Sequence, residues 1–406
     1  MSASSLVSGA HPDEEPAAPR PSQPLRVALD ASALRAERTG VGRYVEQLVA
    51  HAPPAVRYVT MSNRGSPPGA AAERAPVLLV RPTLAWLQLV VPALVAQSGA
   101  RVAHFPTGRA PLFCRCPVVL TVHDLGVIES PGDQRARERL LAAPWLAAAI
   151  RRADAVVAVS EHTAAAVRRR YPAVADRVRV IHEAAAPTFH QPVPPEAVAA
   201  LRDALGLGPR LWLHVGSIAT RKNLAALVEA FAIARTRVPG PGPQLVLAGP
   251  AGDGLDDVRR TIRRLGLSGD VRLTGYLDEA SLAALVHAAE FAIACGRHEG
   301  FGLPLLEAFA AGTPVVAARH GALPEIAGGA ALLVDEPDAH GLARALIRLG
   351  GDPALRAELR ARGLARAAAF GWKRAAASTG SLYHEVAVAR AGRRRASAGI
   401  ATAGRR

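Results

Sequence analysis

An α/β fold built as two doubly wound parallel-sheet domains is predicted by three observations. From Leu25 onward, apolar runs of strand length alternate with Ala/Leu/Arg-rich helical stretches, the pattern of parallel sheets with helices on both faces. The chain has 406 residues, 50% of them hydrophobic, which is ample for two cores. Its most distinctive motif, at 299–307, falls where a strand-length run gives way to a helix-forming one, the kind of junction at which such sheets hold ligands.

In chain order, residues 1–24 are rich in Pro, Ala, Ser and Glu and have no apolar core like that of a signal peptide, so a disordered N-terminal extension is expected. A first domain is expected over 25–190 and a second over 191–371, joined through the 187–195 region. Residues 390–406, with six arginines and no acid, read as a basic disordered tail. No internal repeat of solenoid period is apparent. Within the first domain, 117–122 reads as a buried parallel strand, which puts His123 at the ligand-holding end of its sheet. On position alone, His123 could as well be an ordinary core or loop residue. Segment 83–96 carries Trp86, Leu87, Leu89, Val90, Val91 and Leu94 but is too short to span a bilayer, so it reads as a core helix or an interfacial one.

The stretch Glu299-Gly300-Phe301-Gly302-Leu303-Pro304-Leu305-Leu306-Glu307 sets two carboxylates eight positions apart across a glycine-bracketed turn. Gly300 and Gly302 let main-chain amides approach a ligand, while the free N–H groups and partial positive charge of a helix start favour a phosphate. Carboxylates only accept hydrogen bonds and therefore suit hydroxyl-rich partners. A ligand with both diphosphate and hydroxyls is a nucleotide sugar. Two glutamates alone would pass as ordinary capping and surface carboxylates; the neighbouring segments change that reading.

Leu213-His214-Val215-Gly216 reads as a buried strand ending in glycine, followed by Ser217-Ile218-Ala219-Thr220-Arg221-Lys222-Asn223 and a helix from Leu224. A cationic pair at a helix entrance suits a leaving diphosphate. Of the 49 basic residues only Lys222 and Lys373 are lysine, which hints that a compact ammonium is wanted at 222.

These residues resemble the family-4 retaining glycosyltransferases, which have the GT-B fold. The resemblance rests on Gly216 through Asn223, on the strand 245–248 with Gly249-Pro250, on Val271-Arg272-Leu273-Thr274-Gly275-Tyr276, on the E-x7-E stretch, and on Gly312-Thr313-Pro314-Val315-Val316 with Gly321, Pro324 and Glu325. It extends, more loosely, to Thr39-Gly40-Val41-Gly42-Arg43-Tyr44, to Thr121-Val122-His123-Asp124-Leu125, and to Ala153-Asp154 through Ser160 and Thr163. It implies two Rossmann-like domains facing across a cleft, with the 372–389 helix crossing back to the first.

The resemblance further implies that Lys222 and Arg221 neutralise the departing diphosphate, that Glu299 faces the donor sugar beside the amides of Gly300, Phe301, Gly302 and Leu303, and that Glu307 holds the ribose hydroxyls. His123 would reach the reacting sugar from the opposite domain, while Gly40 and Gly42 close over the phosphates and Gly216 with Ser217 completes the donor site. There are two departures from the family pattern. Ser217 stands where the family often has arginine, and Glu183-Ala184-Ala185-Ala186-Pro187 replaces its usual Asn-Gly pair.

In such a transfer the anomeric bond loosens as charge collects on the diphosphate, so preorganised cations and helix amides give most of the stabilisation. No Asp-x-Asp metal-holding pair occurs in the sequence, so transfer without a metal or other cofactor is expected. Retention of anomeric configuration is implied by the resemblance alone. The three cysteines, Cys114, Cys116 and Cys295, do not make a usual zinc set and fit a reducing cytoplasm. No Gly-x4-Gly-Lys phosphate loop or Gly-x-Ser-x-Gly elbow is present, and Gly40-x-Gly42 lies too far after its strand for a dinucleotide fingerprint.

The net charge of +15 is uneven: residues 25–190 carry 21 basic against 12 acidic side chains, and 191–389 carry 21 against 19. A basic first domain suggests an acceptor, glycan or lipid-linked, presented at an anionic surface such as the inner leaflet of the plasma membrane, with Arg168 to Arg170 and Arg393 to Arg395 as candidate contacts. A solvated arginine-biased face accounts for the same charge. Nucleic acid is not an expected partner, because 4% aromatic residues offer few stacking platforms. The resemblance also leans toward mannosyl transfer from GDP-mannose in surface polysaccharide or glycolipid synthesis. The alternative is a catalytically silent nucleotide-sugar binder of the same fold.

Overall fold

The computed structural model describes residues 23–34, 39–63, 73–74, 85–129 and 136–403. They form two parallel sheets. The first contains β1 (Leu25–Asp30), β2 (Val56–Met61), β3 (Glu73–Arg74), β4 (Val102–Phe105), β5 (Val118–Val122), β6 (Ala155–Ala158) and β7 (Val178–Val180), in the order β3-β2-β1-β4-β5-β6-β7. The second contains β8 (Leu211–Val215), β9 (Gln244–Ala248), β10 (Val271–Gly275), β11 (Phe291–Ala294), β12 (Val315–Ala318) and β13 (Leu332–Val334), in the order β10-β9-β8-β11-β12-β13. Strands such as β5 and β12 are buried at every position, as expected where helices cover both faces of a sheet. The strand order reverses between β1 and β4 and again between β8 and β11, which opens a crevice at the carboxyl end of each sheet.

Those carboxyl ends face each other across a cleft that is held nearly shut by polar contacts. Ser160 caps the helix Glu161–Arg170 and donates its hydroxyl to Gly300 O at 2.7 Å; Thr163 donates to the same carbonyl at 3.2 Å. From the second lobe, Glu325 accepts the amides of Glu161 and His162 at 2.9 and 3.0 Å, an N-terminal cap supplied by the other domain, and its Oε1 lies 2.8 Å from His182 Nε2.

The last helix, Trp372–Ala403, returns to the first lobe. Tyr383 on it bonds His104 Nδ1 at 2.6 Å, and His104 Nε2 lies 2.7 Å from the Thr121 hydroxyl. Burial, with His123 nearby, brings the His104 pKa down to about 3, so this link is a neutral hydrogen-bonded chain.

One expectation is corrected here. Residues 390–403 are helical, a continuation of the closing helix rather than a disordered tail, because alanine and arginine are strong helix formers and no proline stops them. Arg390 and Arg393 in that stretch reach Asp154 Oδ1 at 4.0 and 3.2 Å. Residues 1–22 and 404–406 lie outside the described residues. In the 83–96 segment, a π-helical turn Trp86–Val90 runs into the helix Val91–Gln97, with Trp86, Leu87, Val91, Leu94 and Val95 buried. Its apolar face is therefore core, apart from Leu89, which is exposed. Among the described residues no helix is long and apolar enough to cross a membrane.

Candidate active site

The cleft between the lobes holds a cavity of about 450 Å³. Its floor is made where β8 stops. Gly216 (φ 142°) ends the strand, and the loop beyond β9 comes so close that a Cβ on Gly249 (φ 150°) would lie 2.1 Å from Gly216 O. The chain then makes a short 3₁₀ turn, Thr220–Lys222, and enters the helix Leu224–Ala234 through Asn223, which has φ 60° and donates its side-chain amide to Pro337 O at 2.6 Å. Asparagine is one of the few non-glycine residues that adopt this left-handed geometry readily, and its anchoring turns Lys222 inward.

Lys222 is 6% exposed, and its Nζ lies 2.5 Å from Glu299 Oε1. Burial alone would raise the Glu299 pKa, but the charges of Lys222 and Arg221 outweigh it and hold the carboxyl below its usual range. Arg221 donates to His298 O at 3.2 Å, so both cations are tied to the 296–299 loop that follows β11. Beneath them His214 bonds Ile293 O at 2.9 Å; burial and the Lys222 charge bring its pKa down to about 4, which keeps it from adding a third positive charge.

From the first lobe, His123 follows β5, its Nδ1 2.9 Å from Glu183 Oε1 and its ring edge-on to Tyr44 at 5.1 Å. His123 Nε2 has no partner among the described residues. Glu183, 2% exposed, belongs to the stretch that departs from the family pattern, and its carboxylate lies against the His123 ring. Gly300 packs directly on this histidine's backbone: a Cβ there would lie 1.7 Å from His123 O. Gly302 (φ 97°) precedes the helix Leu303–Ala310, whose first turn faces the cavity.

Gly40, His123, Gly216, Ser217, Arg221 and Lys222 line this one cavity, together with Glu299, Gly300, Phe301, Gly302 and Leu303. Two expected site residues do not. Gly42 is buried in the helix Gly40–Ala50, with Ala33 O 2.8 Å from where its Cβ would be, so it lets the helix pack on the loop after β1. Glu307 is 1% exposed and hydrogen-bonds Arg43 of the first lobe through Oε1, leaving Oε2 without a partner; burial raises its pKa despite Arg43. Arg43, Ser160, Thr163 and Glu183 are site-building residues that sequence reasoning gave no role, because each acts on a residue of a distant segment.

Comparison with known proteins agrees with this geometry. A model described as "Glycosyltransferase Family 4" matches residues 38–187, and one described as "Glycosyl transferases group 1" matches 201–366. The chain is 28% identical over 268 residues to an O-antigen chain mannosyltransferase B of Escherichia coli, covering 65% of this chain and 69% of that one. It is 32% identical over 282 residues to a D-inositol 3-phosphate glycosyltransferase of Catenulispora acidiphila, covering 66% and 65%, so the match spans about two thirds of each of these relatives. The sucrose-phosphate synthase of Thermosynechococcus elongatus superposes with a TM-score of 0.71 at 25% identity, over 90% of this chain and all of that one. With two domain models in order, both lobes matched and a shared cleft, the chain belongs to glycosyltransferase family 4 and has the GT-B fold.

Proposed function

We propose that this protein is a retaining, metal-independent glycosyltransferase that moves a hexose from a nucleotide diphosphate onto a glycan or glycolipid acceptor in surface polysaccharide or glycolipid synthesis, at the inner face of the plasma membrane. The observation that carries the reading is the joint placement of Lys222, Arg221 and Glu299 in one cavity with His123 of the other lobe. The bond from the anomeric carbon to the diphosphate oxygen breaks, a bond to the acceptor hydroxyl oxygen forms on the same face, and the hydroxyl proton passes to the departing diphosphate. Negative charge grows on that diphosphate, where Lys222, Arg221 and the free amides of the 303–310 helix start can meet it; a charge-assisted hydrogen bond of this kind contributes about 1.5–3 kcal/mol.

Glu299, kept ionised by its cationic neighbours, accepts hydrogen bonds from the sugar hydroxyls. Glu307 has an unpartnered Oε2 for the ribose hydroxyls once the lobes part. With no Asp-x-Asp in the sequence, Lys222 and Arg221 take over the electrostatic work of a metal. GDP-mannose is the first donor to try, supported by the similarity to a bacterial mannosyltransferase. The test is a thermal-shift screen against GDP-, UDP-, dTDP- and ADP-sugars, followed by release of the nucleotide diphosphate and NMR of the product anomer. An unchanged release rate in Lys222→Ala and Glu299→Ala would overturn the proposal.

A further inference from the structure

Two nucleophilic side chains stand together away from the cleft. Cys114 and Cys116 lie in the loop between β4 and β5, just before the strand begins, whereas His123 follows its other end. Cys116 is 8% exposed and Cys114 half-buried, and their Sγ atoms are 3.6 Å apart, within hydrogen-bonding distance for sulfur. The loop is fixed on both sides of the pair. Arg152 donates to Leu112 O at 3.1 Å and to Cys114 O at 3.2 Å, Gln88 accepts the Leu112 amide at 2.9 Å, and Asp154 Oδ2 accepts the Val118 amide at 3.0 Å while pairing with Arg152 at 3.4 Å. Among the described residues no group of three metal-ligating side chains occurs, so the chemistry open to the pair is that of two thiols.

The two thiols are not equivalent. Hydrogen bonds from Cys116, with the charge of Arg152, outweigh burial and bring the Cys114 pKa down to about 7, so much of it is thiolate at neutral pH. The same contact works in the opposite sense on Cys116, whose pKa is pushed up by the hydrogen bond with Cys114, by burial and by the Cys114 charge. A half-buried thiolate beside a buried, protonated thiol is the arrangement of an attacking and a resolving sulfur. Capping Cys114 removes the hydrogen bond and the charge that keep the proton on Cys116. The second sulfur is therefore released only after the first has reacted. Cys295 gives the contrast: it is fully buried, its thiol donates to Lys222 O at 3.3 Å, and burial pushes its pKa up to about 12.

We propose that Cys114 and Cys116 form a reversible redox centre that exchanges with a low-molecular-weight disulfide such as oxidised glutathione. The Cys114 sulfur attacks one sulfur of that disulfide, whose S–S bond breaks; one glutathione thiolate leaves, and Cys114 is held in a mixed disulfide. The Cys116 sulfur then attacks Cys114 Sγ, the mixed disulfide breaks, and the second glutathione thiolate leaves. The departing thiolates take up the protons that the two cysteines give up. Two protein thiols are thus oxidised to one disulfide while one glutathione disulfide is reduced to two thiols, and the protein sulfurs close from 3.6 Å to about 2.05 Å. In a reducing compartment such a bond is transient and serves redox sensing.

The test incubates the full chain with glutathione disulfide, blocks the remaining thiols with N-ethylmaleimide in denaturant, and weighs the product by mass spectrometry, with no need for transferase activity. Wild type goes from three blocked cysteines to one, Cys295, with no glutathione retained, and dithiothreitol returns all three. Cys116→Ser, which lacks the resolving sulfur, instead retains one glutathione on Cys114. Cys114→Ser loses free thiol about tenfold more slowly than Cys116→Ser, because the sulfur it keeps is buried and protonated. Three thiols left intact in wild type, glutathione held stably on it, loss of the Cys295 thiol along with the other two, or equal rates in the two variants overturns the proposal.

Discussion

Arg43 and Glu307, 264 residues apart in sequence and one from each lobe, meet as a hydrogen-bonded ion pair at the back of the cleft. Neither is well solvated: the side chains are 14% and 1% exposed. Removing one member of such a pair costs about 3–5 kcal/mol, because the remaining charge stays buried without a partner. Arg43→Ala is therefore expected to lower unfolding stability by about 3 kcal/mol in urea titration. Arg43→Met/Glu307→Met is expected to recover most of that loss yet bind nucleotide diphosphate less tightly than wild type by calorimetry. Undiminished affinity in the double variant would remove Glu307 from the donor site.

Lys222→Ala is expected to slow nucleotide diphosphate release by about 10²–10³-fold, the usual cost of removing one preorganised group at a centre of developing charge. Lys222→Arg should restore only part of it, since a planar guanidinium does not fit where a compact ammonium touches Glu299. Initial rates at saturating donor decide the matter.

Gly300→Ala places a methyl group where His123 O already sits, 1.7 Å away, without disturbing either sheet. Both lobes should fold but fail to close. Small-angle scattering should give a larger radius of gyration, and the transfer rate should fall by about 100-fold for a misplacement of the order of 1 Å. A wild-type rate with a wild-type scattering curve would show that the lobes do not need this contact.

Glu325 makes the closed form pH-dependent. Burial works to raise its pKa, but the hydrogen bonds from His182 and from the Glu161 and His162 amides outweigh it, so the carboxyl sits below its ordinary value of 4.5. A lowered carboxyl stabilises the folded state above its unfolded value, and that contribution is lost as pH falls through the lowered one. Wild type should therefore melt above Glu325→Gln at pH 7, with the gap closing only as pH falls below 4.5. A constant difference across that range, measured by calorimetry, would show that the carboxylate charge is not what matters.

Much of the fold was legible because it is written in local chemistry. Buried runs such as 118–122 and 291–294 announce strands, and Gly216, Gly302 and the apolar 303–310 stretch announce the turns and helix that follow. Spacing also placed Glu299 at the mouth of its sheet. The reading of 390–403 as disordered went wrong because net charge was weighed above helix propensity. Glu183 looked like a flaw in a familiar turn, and only tertiary structure puts its carboxylate 2.9 Å from His123 Nδ1.

The amino-acid sequence by itself determined two parallel α/β lobes and the residues at the carboxyl ends of their strands, since periodicity, glycine geometry and helix starts act over a few residues. Tertiary structure alone decided that Arg43 covers Glu307, that Ser160 and Thr163 grip Gly300, and that Glu325 caps a helix of the other lobe. Those contacts join segments more than a hundred residues apart. Their partners are chosen by how two finished lobes dock, and no local pattern in the chain carries that information.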